Sequence, residues 1–137
     1  MIDLLFEGKT VDWTILEQMH KGKTAGLISA ALEFGGIIAE APAKDMAALR
    51  KSGMAMGVAF QLIDDVLDYT GRQEELGKTV GSDRDNAKST AVSLLGIQGA
   101  QAKAASLLQE AKDSLNTLSH PTPLLSTLFH QMINRQK

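Results

Sequence analysis

The stretch from Gly57 to Tyr69, Gly-Val-Ala-Phe-Gln-Leu-Ile-Asp-Asp-Val-Leu-Asp-Tyr, constrains this 137-residue chain more than any other. Wound as an α-helix at about 100° per residue, it brings Gln61, Asp64, Asp65 and Asp68 into one stripe about 100° wide, with Gly57 on the same line. The other eight side chains of the stretch are apolar. A helix that is apolar on most sides belongs inside a bundle, where its polar strip lines a cavity. Carboxylates at i, i+1 and i+4 repel by a few tenths of a kcal/mol per pair, about that much on an open surface and more where water is scarce. Positive charge belongs there. Mg²⁺ is held through one or two carboxylates while waters and substrate phosphates complete its shell. The plainer alternative is a solvated acidic face, which is usually broader than this walled strip.

Composition supports helix and excludes several function classes. Six aromatics and few β-branched clusters argue against sheet, while Ala, Leu, Met, Gln, Lys and Glu fill the long stretches. A chain with 44% hydrophobic and 22% charged residues suits one compact domain over residues 1–137. Without cysteine there is no disulfide framework, thiolate metal site or cysteine nucleophile. Fourteen basic against sixteen acidic residues give a net charge of −2, so no nucleic acid partner is expected. The run from Ser89 to Ala102 is too short and polar to span a membrane, and Met1 to Glu7 does not read as a secretory signal, so a cytoplasmic location is expected.

Cap and breaker residues predict the elements. A first helix runs from an Asp12 N-cap to about Glu40, and Pro42 opens the second at N1. Thr70-Gly71 stops the second after Tyr69. Further helices cover about Asn86 to Leu95, Ala100 to Leu118, and from the His120-Pro121-Thr122-Pro123 break to about Asn134. The polar, glycine-spaced segment from Gly71 to Asp85 is read as a loop, a binding lid or a disordered link.

On the first helix, His20, Lys23, Thr24 and Leu27 share one face by spacing, with Lys21 alongside. A lysine and a hydroxyl together suit a phosphate, though an exposed helical pair is equally consistent. Gly22-Lys23-Thr24 is no nucleotide-binding loop, because Glu17 stands where its first glycine belongs, and Asp3 and Arg72 spoil the other two Gly-Lys-Thr strings. Lys78 and Lys88 flank the polar segment, either as solvated lysines or as groups folding over a metal-bound polyphosphate. No serine sits in a GxSxG elbow, and His20, His120 and His130 show no ligand spacing.

Phe60-Gln61-Leu62-Ile63-Asp64-Asp65-Val66-Leu67-Asp68 resembles the second aspartate-rich motif of the trans-isoprenyl diphosphate synthases, the polyprenyl synthetase family. His20-Lys21-Gly22-Lys23-Thr24 resembles its lysine-threonine element, and Leu76-Gly77-Lys78 with Asp83 to Thr90 resembles the following loop. The resemblance covers essentially the whole chain, is nearest the farnesyl diphosphate synthase or geranyltranstransferase type, and implies an all-α bundle, the C-terminal half of the isoprenoid synthase fold. It further implies that Asp64, Asp65 and Asp68 bind Mg²⁺, that Lys23, Thr24 and Gln61 line an allylic diphosphate site, and that Lys78 and Lys88 neutralise the departing diphosphate. The implied catalytic residues are Lys23, Thr24 and Asp64. The implied reaction condenses an allylic diphosphate with isopentenyl diphosphate. The family's first aspartate-rich motif is absent, since Asp64-Asp65 is the only adjacent pair of aspartates, and the opening residues resemble the middle of a family helix. Little activity is therefore expected from this chain by itself, and either a homo-oligomer or completion by an N-terminal half is expected. A noncatalytic dimerisation or regulatory module is the alternative.

Overall fold

The computed structural model describes residues 11–75 and 90–134, and every element in that range is helical. Asp12 begins α1 (Trp13–His20) as expected, its Oδ1 accepting the Ile15 N–H at 2.9 Å. The chain then widens into one π-turn (Lys21–Ala25) and continues as α2 (Gly26–Ile38) without leaving helical geometry. The predicted first helix is thus one rod with a π-turn in it. Such widened turns are frequent at functional sites.

The rod closes by a Schellman arrangement. Glu40 takes φ 53°, Ala41 N–H reaches Gly36 O at 2.8 Å, and Glu40 N–H reaches Ile37 O at 3.0 Å. Pro42 lends its carbonyl to the Met46 N–H and stands just ahead of α3 (Ala43–Glu75), so it takes the N-cap place and not the N1 place predicted for it. The predicted stop at Thr70-Gly71 does not occur, and α3 runs to Glu75. Thr70 turns its hydroxyl back onto the carbonyls of Val66 at 3.0 Å and Leu67 at 3.2 Å, and one helical glycine costs only about 1 kcal/mol in a rod of this length.

The fourth helix, α4 (Ala91–Leu115), begins after a capping box in which Thr90 and Ser93 exchange side-chain bonds. It starts at Ala91, later than the predicted start near Asn86. The predicted gap from Leu95 to Ala100 shrinks to Gly96, whose φ of 70° kinks a helix that continues on both sides. Past the proline break, α5 (Pro123–Ile133) matches its prediction.

The centre of the bundle is α3, with α2 on one flank and α4 on another. Met56, Val58, Ala59 and Leu62 are shut off from solvent, and the small residues Ala100, Ala104 and Ala111 let α4 lie close. Ser52 donates to the Ala111 carbonyl at 2.9 Å inside that contact. Against α2 the approach is closer still: a Cβ on Gly53 would meet Ser29 Cα at 2.5 Å, and one on Gly57 would meet Ala25 Cα at 2.2 Å. Two glycines one turn apart let the backbone of the π-turn and α2 touch α3.

Candidate functional site

That close crossing brings the π-turn against the aspartate helix. The two segments run antiparallel, so polar pairs form like rungs: His20 with Asp65, Thr24 with Gln61, Ser29 and Glu33 with Arg50. Thr24 Oγ1 donates to Gln61 Oε1 at 2.9 Å, joining two residues that the sequence marked separately. Gln61 is buried and Thr24 half-buried, while Lys23, next along the π-turn, is exposed.

His20, Lys23, Thr24 and Leu27 do not share one face. His20 is buried and Leu27 is 75% exposed, because the π-turn adds a residue to the turn and rotates everything after it. Lys21 pairs with Glu17 at 3.2 Å, one turn back on its own helix.

The strip on α3 is graded. Gln61 is buried, Asp64 and Asp65 are half-buried, and Asp68 is exposed. Asp65 Oδ2 accepts the Ala91 N–H at 2.8 Å and lies 3.7 Å from His20 Nε2. Part of the positive charge that the crowded carboxylates require is therefore supplied by the N-terminus of α4, whose first amides carry no intrahelical partner. A groove elsewhere, between the first half of α3 and the last half of α4, holds the Lys51 to Glu110 ion pair at 3.5 Å and does not include the strip.

Among the described residues no three His, Asp or Glu side chains converge closely enough to enclose a metal ion. The donor set nonetheless fits magnesium: Asp64 and Asp68 stand one turn apart, both hard oxygen donors, and this ion takes one or two carboxylates and completes its shell with water and phosphate. Lys78 and Lys88 lie outside the described residues.

The seam itself escaped the sequence reading. Gly53 and Gly57 carry the only signal it left, a small-residue repeat one turn apart, and the partnership of Asp65 with Ala91, 26 positions on, left none.

Comparison with known proteins places the chain in a family. The family model described as polyprenyl synthetase matches residues 1–120. The chain belongs to that family. It is 40% identical to a farnesyl diphosphate synthase of Micrococcus luteus over its whole length, and 38% identical to that of Escherichia coli over 99% of it. It spans 47% of each of those two relatives, about half their length. Among solved structures, a geranylgeranyl pyrophosphate synthetase from Pyrococcus horikoshii superposes on 98% of the chain with a TM-score of 0.81 at 27% identity, the match covering 53% of that protein. A geranyltransferase from Helicobacter pylori, complexed with magnesium and isoprenyl diphosphate, matches 96% of the chain at a TM-score of 0.70 and 34% identity, over 43% of its own length. These neighbours bear out the all-α expectation.

Proposed function

We propose that this polyprenyl synthetase chain is the diphosphate-binding portion of a prenyltransferase, holding an allylic diphosphate through magnesium for condensation with isopentenyl diphosphate. The observation that carries it is the joining of the Lys23-Thr24 π-turn to the aspartate helix through the Thr24 to Gln61 bond. Lys23 supplies an unburied ammonium and Thr24 and Gln61 supply polar groups beside a carboxylate strip, the pairing that a metal-carried diphosphate needs.

In the proposed reaction the allylic C–O bond breaks and diphosphate leaves. The isopentenyl double bond attacks the resulting cation, a C–C bond forms, and a proton is lost. Magnesium, when bound, supplies neutralising charge for the leaving group. Asp64 and Asp68 are the residues to hold it, with Asp65 beside them. Lys23 stabilises the charge that develops on the diphosphate oxygens, an electrostatic contribution that needs no proton transfer. Thr24, fixed by Gln61, limits the positions the diphosphate takes up. Lys78 and Lys88 are proposed to add charge from the segment between α3 and α4.

Because the chain spans about half of its relatives, efficient turnover is proposed to require a further helical portion or a partner, and the cytoplasm is the proposed location. Among the described residues no helix is long and apolar enough to cross a membrane. One observation favours the noncatalytic alternative: α2 leaves Leu27, Phe34, Ile37 and Ile38 exposed, a face suited to association.

The deciding measurement is a thermal melt. Magnesium with inorganic pyrophosphate at a hundredfold excess over the dissociation constant should add about 2.7 kcal/mol of stability, and the Asp64→Asn, Asp68→Asn double variant should lose that gain. A wild-type melting curve that ignores both ligands overturns the diphosphate reading and leaves the association module. Robust turnover of geranyl diphosphate by the pure chain would overturn the need for a second portion.

A further inference from the structure

We propose that Gly57 is a positioning residue of the diphosphate site: the absence of a side chain there lets the Ala25 end of the π-turn rest on α3, which carries Thr24 to Gln61 and fixes where Lys23 stands. That the site takes a diphosphate rests on the function proposed above, whereas the placement of Thr24 by Gly57 is independent of it.

Gly57 and Gln61 stand one turn apart on α3, and the π-turn meets them in order, Ala25 against Gly57 and Thr24 bonded to Gln61 at 2.9 Å. Ala25 is buried and directly follows Thr24, so the two move together. A Cβ on Gly57 would stand 2.2 Å from Ala25 Cα and 2.9 Å from its backbone nitrogen. Carbon atoms in contact lie about 3.5–4.0 Å apart, so an alanine at 57 would force a separation of about 1 Å or more. The α3 side cannot yield it. Met56, Val58 and Ala59, around Gly57, are all buried, whereas Gly22, Lys23 and Gly26 are exposed and leave the π-turn room to back away. That retreat would break a bond made at 2.9 Å. The turn is also held by its own widened bond, from the Gly26 N–H to the Lys21 carbonyl, and rewinding it to the α-helical pattern would rotate Thr24 away from Gln61. By either route Thr24 leaves Gln61, and Lys23, the residue before it, shifts with it. Gly53 supplies the comparison. An added Cβ there meets Ser29 Cα at 2.5 Å, the same kind of backbone clash, four residues beyond Ala25 and further from Thr24.

The experiment compares Gly57→Ala with Gly53→Ala in the 137-residue chain. Both should lower the melting temperature by a like amount, about 5 °C, since both overpack the seam. With magnesium and inorganic pyrophosphate in a titration calorimeter, Gly57→Ala should weaken pyrophosphate uptake about tenfold or more, while Gly53→Ala stays within about threefold of wild type. In a Thr24→Val background, where the bond to Gln61 is already gone, Gly57→Ala should weaken uptake by no more than about a further threefold, because both substitutions act through one bond. Without ligand, the magnetic resonance signals of the Gln61 side-chain amide and of residues 21–25 should move in Gly57→Ala and hold in Gly53→Ala. The proposal is overturned if the two glycine variants lose uptake equally, if Gly57→Ala keeps it, or if the effects of Gly57→Ala and Thr24→Val add in full. If Gly57→Ala does not fold, the comparison passes to Gly57→Ala with Ala25→Gly, which removes the 2.6 Å contact with Ala25 Cβ and keeps the backbone one. Should that variant not fold either, Gly57 serves the fold alone and the proposal falls. A wild type that takes up no magnesium pyrophosphate sinks the functional reading, and the Gln61 amide then decides the placement: moved in Gly57→Ala alone it stands, unmoved it falls.

Discussion

At the scale of single residues, the seam between α2 and α3 depends on two missing methyl groups. A Cβ on Gly57 would overlap the Ala25 backbone at 2.2 Å, and backbone cannot rotate away as a side chain can. Gly57→Ala is therefore expected to cost about 1–3 kcal/mol from overpacking, although alanine recovers up to about 1 kcal/mol of helix propensity. Gly35→Ala is the control, since nothing lies within 4 Å of its added carbon, and it should stabilise by about 0.5–1 kcal/mol. Urea unfolding of the two variants reads both signs. The far rung of the seam brings pH dependence. Arg50 donates to Glu33 Oε2 from Nε at 2.9 Å and Nη2 at 2.6 Å, Ser29 donates to Oε1 at 2.8 Å, and these bonds hold the Glu33 carboxyl below its ordinary value of 4.5. A carboxyl with a lowered folded pKa stabilises above its unfolded value, and that contribution disappears as pH falls through the folded one. Stability should thus decline with acidification below about pH 4.5, and Glu33→Gln should decline less over the same range in parallel thermal melts.

At the scale of elements, the helix ends show which sequence signals hold. Asp12 and Thr90 both cap as their side chains allow, and Thr90→Ala should cost about 1 kcal/mol of unfolding free energy, read as a lowered denaturant midpoint. Glu40 is the exception, a left-handed residue with a Cβ where glycine is usual. Glu40→Gly is expected to stabilise by about 0.5–1 kcal/mol, since relief of about 1–2 kcal/mol of backbone strain exceeds the added entropy of the unfolded glycine. A lowered midpoint would show that the Glu40 side chain matters more than its backbone. The missed stop at Thr70-Gly71 has a physical cause: propensity is a weak preference beside the packing of a 33-residue helix at the centre of a bundle. The π-turn was equally invisible, because KGKTA at helical spacing reads as ordinary α-helix, and only contact with Gly57 shows the turn in its place.

At the scale of the molecule, α2 presents an apolar ridge to solvent, with Phe34 64% and Ile38 84% exposed. Faces of that kind seek cover, so light scattering on the pure chain should report oligomers, and Phe34→Lys with Ile38→Lys should shift them toward monomer without lowering the melting temperature. A monomeric wild type would count against association through this face. The order of the helices, the buried character of the α3 centre and the membership of Gln61, Asp64, Asp65 and Asp68 in one strip were all legible in the sequence, because each follows from periodicity within a single element. What periodicity cannot reach is the partner. Whether a carboxylate faces solvent, as Asp68 does, or accepts the first amide of another helix, as Asp65 does, is decided by where α4 and the π-turn lie against α3. The π-turn is placed by close packing at Gly53 and Gly57, an interaction between backbones 24 to 32 residues apart, and α4 by the buried small residues Ala100, Ala104 and Ala111, and neither contact leaves a mark on the local pattern of α3.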